Sequence, residues 1–277
     1  MNRGLLRGSI VAAIGLSTLL MTGCGATVEP TPSATPVSVA DASIVIPQGI
    51  GTTLVTEYQD ALGVLGAHAS VVDAPVSGTG VVSLGGWVPG AAAVVTVDPV
   101  ALGGRLADGI VECLAGVGVV SGPVLLAALP PGAADAATAA LAQRGFEPSL
   151  PTDSAASVSD WYTAANGNVV GIVAGDATTA QAAVHVLDAN AQAVKVPVVA
   201  FGLDPDLPDR LADGSQCLAL RPPVKKEARA AVDLAAALSA GAEAREAAGD
   251  AVVTADGGTV PGILFPPAVI RGEGGQE

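Results

Sequence analysis

Aromatic side chains make up only 3% of the 277 residues, and cations are scarce: 12 Lys and Arg stand against 26 Asp and Glu, a formal charge of −14. So few cations exclude a nucleic-acid surface, which needs clustered Lys and Arg to displace phosphate counterions. They also exclude polybasic adhesion to anionic lipid headgroups. Two histidines, His68 and His185, lie far apart with no nearby cysteine or paired acid at metal-ligand spacing. No G-x-S-x-G elbow and no G-x-x-x-x-G-K-[ST] phosphate loop occurs. Gly78-Thr79-Gly80 lacks the third glycine and following helix of a dinucleotide fingerprint. Nothing argues for catalysis, and no cofactor is expected. Disorder is excluded by what is abundant: half of the chain is apolar, whereas unfolded chains combine few apolar residues with dense charge.

Mean hydropathy is +0.55, yet no apolar run has the roughly 20 residues that a membrane-spanning helix needs. The nearest, residues 8–20, follows Arg3 and Arg7 and ends at Thr22-Gly23-Cys24. A positive start, an apolar centre and a small-residue boundary describe a secretory signal. The boundary cysteine makes it resemble a bacterial lipoprotein signal, with Met21-Thr22-Gly23-Cys24 as the lipobox and Met where Leu is usual. The expectation is removal of residues 1–23, a lipid on Cys24, and a tether over 24–42, whose prolines favour extended backbone. The body would then lie outside the cytoplasm, anchored to the cell membrane. Cys113 and Cys217 remain as an even pair in an oxidising compartment. A disulfide and two buried thiols fit that spacing equally.

Along the body, β-branched runs alternate with Ala-rich helical patterns. Strands are expected over 43–47, 69–76, 92–97, 123–129, 169–174, 196–201 and 218–220. Helices are expected over 52–65, 100–114, 133–144, 178–193 and 225–238. Residues 77–90 are glycine-rich and show no helical period. Lys225-Lys226-Glu227 opens its helix as a solvated face, with Glu227 favourable in the first turn. Continuous apolar strands alternating with helices mark parallel sheets covered on both faces, so the fold class is α/β, doubly wound, in two lobes. In such sheets ligands bind outside the carboxyl ends of the strands. That directs attention to the loops at 48–52, 98–99, 130–135, 175–179 and 202–206.

The second half carries a resemblance. Gly167-Asn168-Val169-Val170-Gly171-Ile172-Val173-Ala174-Gly175-Asp176 is followed by Lys195-Val196-Pro197-Val198-Val199-Ala200-Phe201-Gly202-Leu203-Asp204. Then come Asp213-Gly214-Ser215-Gln216 and Arg221-Pro222-Pro223-Val224-Lys225-Lys226-Glu227-Ala228. In this order the segments resemble the periplasmic sugar-binding proteins of ABC importers, type I, of the xylose- and ribose-binding group. Residues 98–114 are similar to that family's entry into its second lobe. The resemblance implies an N-terminal lobe of residues 43–97 plus 222–270, a C-terminal lobe of 98–221 and a tail of 271–277. It implies a small solute, of monosaccharide type, handed to a transporter permease by a lobe-closing receptor. By matching positions, Asp176, Asp204 and Arg221 would line the cleft. Carboxylates accept from sugar hydroxyls, and arginine donates through its planar fork. Each has a structural counterpart: Asp176 as a helix cap, Asp204 in a turn, Arg221 paired with a surplus acid. The resemblance also places Cys113 and Cys217 in one lobe, which implies that they pair.

The first half departs from the pattern. Gln48-Gly49-Ile50-Gly51-Thr52 has neither the arginine nor the aromatic of the family's first loop, and Pro130-Pro131-Gly132-Ala133 replaces an Asp/Asn-rich loop. Trp161 and Tyr162 sit where a helix is due and read as packing. Trp87, the aromatic left in a loop, is the candidate to reach the cleft. Residues 76–92 are too few for the usual helix and strand, so the first lobe is expected to be contracted. The alternative to an importer component is a degenerate binding-protein fold acting as a cell-envelope scaffold or a ligand-sensing lipoprotein.

Overall fold

The computed structural model describes residues 37–38, 43–78, 80–151, 157–253 and 258–271. Cys24, residues 1–23 and the tail beyond Arg271 lie outside these. In chain order the elements are β1 (Val37–Ser38), β2 (Ile44–Pro47), α1 (Thr52–Val64), β3 (Ala69–Val72), β4 (Val76–Ser77), β5 (Val82–Leu84) and β6 (Ala93–Val97). The chain then crosses to α2 (Pro99–Gly116), β7 (Gly122–Ala127), α3 (Pro131–Gln143), β8 (Phe146–Ser149) and α4 (Val158–Ala164). Next come β9 (Gly171–Ala174), α5 (Ala177–Ala189), β10 (Val198–Phe201), α6 (Leu207–Asp213) and β11 (Leu218–Arg221). It returns through α7 (Val224–Ser239), α8 (Ala244–Ala248), β12 (Asp250–Val253) and β13 (Thr259–Phe265), and ends in β14 (Ala268–Ile270).

Two six-stranded sheets result, ordered β12-β13-β6-β5-β2-β3 and β14-β11-β10-β9-β7-β8. All pairings within them are parallel except β12 with β13 and β11 with β14. Winding outward in both directions from β2 and from β7 creates the topological switch points of doubly wound sheets.

The continuous apolar strands are explained by burial on two sides. Val124 and Leu126 of β7, Val173 of β9 and Val199 of β10 face Leu106, Ile110, Ala137 and Leu141 of α2 and α3. Their neighbours Leu125, Ala127, Ile172, Val198 and Ala200 face Tyr162, Ala180, Ala183 and Leu187 of α4 and α5. In the first sheet, Ile44, Ile46, Leu84 and Val95 pack under α1 and α7. The opposite face, around Val45, is covered by Val72, Val76, Val81, Val88 and Ala91 instead. Among the described residues no helix lies between β3 and β6.

Three crossings join the sheets, and each carries proline: Asp98-Pro99, Pro222-Pro223 and Pro266-Pro267. The Asp98 amide donates to the Phe265 carbonyl at 2.8 Å, so two crossings run side by side. Proline holds φ near −65°, which keeps these connections stiff.

Several sequence expectations change here. Val82-Ser83-Leu84 is a fully buried strand inside the glycine-rich stretch. Val37–Ser38, expected as tether, pairs in parallel with β4, adding a strand beside backbone that also bonds to Pro89 through the Val76 amide. Residues 268–270, assigned to the first lobe, pair with β11 in the second sheet, because the chain crosses back after Phe265. Glu227, expected on a solvated face, is fully buried, since that side of α7 packs on α1, while Lys225 and Lys226 are exposed.

Candidate functional site

The carboxyl ends of β10 and β11 open onto a groove of about 1240 Å³. Its walls come from α6 and the end of α2 on one side and from Thr53 and Glu57 of α1 on the other. Thr53 and Glu57 are four residues apart, which puts both on one face of the helix. Leu203, in the turn after β10, packs on the core of the first sheet and draws α1 against the groove.

Asp204 and Arg221 both line it. Asp204 accepts from Arg210 Nη1 at 3.0 Å and Nη2 at 2.5 Å, and from the Asp206 amide at 2.8 Å. Burial alone would raise its pKa, but the hydrogen bonds and charge of Arg210, with the backbone N–H groups of Asp206 and Leu207, hold the carboxyl below the usual range. Arg210 is itself buried, and its Nε donates to Gln216 Oε1 at 3.0 Å. Gln216 passes the chain of bonds on to the Leu218 carbonyl at 3.2 Å. The Asp213-Gly214-Ser215-Gln216 turn is thus tied to the loop that carries Asp204. Gly214 there has φ 77°, a left-handed cap suited to glycine.

Arg221 closes β11, and its Nη2 donates to Glu57 Oε2 at 2.8 Å, a bond between residues 164 apart in sequence. Arg271 forms a two-pronged pair with Glu112 at the far rim, both contacts at 2.8 Å. Between these lies the Cys113–Cys217 disulfide, which fixes the last turns of α2 to the start of β11 and forms part of the groove wall.

The other two candidates lie elsewhere. Asp176 caps α5, accepting from the Thr179 amide at 2.7 Å and hydroxyl at 2.9 Å, and is not among the groove's lining residues. Trp87 packs against the Val45 cluster on the outer face of the first sheet. The described lining contains no aromatic ring. Sequence reasoning missed Glu57, Thr53, Glu112, Arg210 and Arg271. Only the Thr53/Glu57 spacing offered a signal, since it places two polar groups on one helical face directly after the loop under scrutiny.

Beneath the groove's first-lobe wall, the Tyr58 hydroxyl donates to Glu227 Oε2, and Glu227 Oε1 has no hydrogen-bond partner among the described residues. Burial pushes the Glu227 carboxyl up to about 7, against the opposing effect of the Tyr58 bond. Burial, with the Glu227 charge, drives the Tyr58 hydroxyl well above its ordinary value.

No protein-family model matches the chain, and no curated protein matches its sequence. Solved structures do match. A carbohydrate transporter solute-binding protein from Agrobacterium radiobacter, in complex with D-arabinose, superposes with TM-score 0.58 at 14% identity, over 86% of this chain and 95% of that one. The sugar-binding protein of a sugar ABC transporter from Bacillus halodurans gives 0.60 at 12% identity, over 86% and 98%. The glucose-galactose binding protein GanP from Geobacillus stearothermophilus gives 0.57 at 13%, over 83% and 97%. The fold is that of the type I periplasmic binding proteins. The groove meets α1 of the first lobe at the carboxyl ends of β10 and β11 and runs from there along β11 to its start at Cys217–Leu218 and the end of α2.

Proposed function

We propose that this chain is an extracytoplasmic solute-binding protein, the sugar-capturing component of an ABC transporter, held to the cell membrane by a lipid on Cys24. The supporting observation is the groove itself, which has the binding-protein fold around it and draws polar side chains from both lobes: Thr53 and Glu57 from one, Asp204 and Arg221 from the other. A threonine hydroxyl and a guanidinium held by Glu57 suit a small hydroxylated ligand. Sugar-binding proteins are the structural neighbours, which supports the same class of solute. On this reading the ligand favours the closed arrangement of the lobes by binding it better.

Differential scanning fluorimetry across a panel of neutral pentoses and hexoses tests the proposal. A ligand at a hundredfold its Kd stabilises the native state by about 2.7 kcal/mol, so at least one sugar raises Tm by several degrees. Arg221→Ala abolishes that rise. A panel that leaves Tm unmoved removes the solute-binding reading.

A further inference from the structure

We propose that Glu57 sets the charge preference of the groove by aiming and neutralising Arg221, an inference that rests on the groove being the solute site. Arg221 spends one N–H on Glu57, at 2.8 Å, and guanidinium carries five. No other hydrogen-bond partner of the Arg221 side chain is found among the described residues, so the rest of the fork remains for a ligand. Both side chains are about one-third exposed, 35% for Arg221 and 32% for Glu57, so the pair faces the groove rather than the core.

The remaining charges there are matched as well. Asp204 is held by Arg210 and Glu112 by Arg271, leaving Asp209 as the additional acid in the lining. A neutral polyol therefore meets oriented donors without a free cation. A carboxylate-bearing sugar must compete with Glu57 for the same guanidinium and faces the surplus acid. Because Glu57 belongs to α1 and Arg221 to β11, the first lobe supplies this control and the second lobe supplies the donor.

The test compares D-galactose with D-galacturonate, which differ in a carboxylate at C6, by calorimetry and thermal shift on the full chain at low ionic strength. Wild type, Glu57→Gln, Glu57→Asp and the double variant Glu57→Gln/Arg221→Gln are measured. Glu57→Gln is expected to improve galacturonate binding relative to galactose by about tenfold or more. The double variant loses that gain, and Glu57→Asp keeps the wild-type preference. An unchanged affinity ratio in Glu57→Gln overturns the proposal, as does a gain that survives loss of Arg221, or a wild type that already binds both sugars equally. If galactose is silent in every form while galacturonate stabilises Glu57→Gln through Arg221, the role of Glu57 stands and the neutral-sugar reading falls. If neither ligand moves any form, the proposal is overturned.

Discussion

Glu227 shows how a single residue escapes sequence reasoning. At the fourth position of α7, after two lysines, a glutamate has every local reason to face water and complement the helix dipole. Tertiary packing overrides this: α7 turns that position onto Tyr58, and the carboxyl is fully buried. Its ordinary value of 4.5 rises to about 7, so the folded chain holds the proton more tightly than the unfolded one. The stabilising contribution is complete below about pH 4.5 and is lost as pH climbs through about 7, the reverse of a salt-bridged carboxylate. The loss is on the order of 3 kcal/mol. Urea melts of wild type at about pH 5 and pH 8 should show the decline, and Glu227→Gln should remove most of it; equal slopes for both proteins would exclude this carboxyl as the source. Among the site residues, Asp204 and Arg221 were legible because flanking motifs fixed their positions at strand ends. Their partners were not: Glu57 pairs with Arg221 across 164 residues, and Arg210 reaches Asp204 six residues back through a turn that carries no periodic pattern.

Elements were legible where composition and burial agree. The Val- and Ile-rich runs of β2, β6, β9 and β10 read as strands; β9 and β10 alternate their contacts between two helical layers, whereas β2 packs on α1 and α7 through one face and on the helix-free Val45 cluster through the other. β5 was hidden because Ser83 interrupts its apolar run amid glycines; its hydroxyl donates to the Gly86 carbonyl, which lets a polar residue sit inside the sheet. Packing between α2 and α3 makes a prediction for two adjacent glycines. A Cβ on Gly103 would fall 2.2 Å from the Ala133 carbonyl oxygen, whereas one on Gly104 meets nothing within 4 Å. Helix propensity favours alanine at both by about 1 kcal/mol. Gly104→Ala should therefore raise stability by up to that amount, while Gly103→Ala should lower it by roughly 1–3 kcal/mol as the helices are forced apart. Chemical denaturation of the two variants decides it: effects of the same sign would mean the contact yields.

At the scale of the whole molecule, the two-lobed arrangement was foreseen, but the return of β14 to the second sheet was not, since a three-residue strand after two prolines carries almost no signal. The disulfide spans 104 residues, a long loop whose closure restricts the unfolded chain by about 4–5 kcal/mol in the loop-entropy model. Unfolded, unreduced protein should show no reactive thiol from Cys113 or Cys217, and reduction should cost stability of that order; two titratable thiols at those positions would contradict the bond. The interleaving of the lobes also fixes an order of assembly. The five parallel strands of the second sheet, and both cysteines, lie on the uninterrupted stretch 98–221, so that half has its parallel core in hand first. The other half cannot close until β13 arrives to cover β6. A chain halted between these points would present β6 as a bare, apolar edge, the form of backbone most apt to pair with a neighbouring molecule. The late arrival of one strand makes the last stage of synthesis the one most exposed to aggregation.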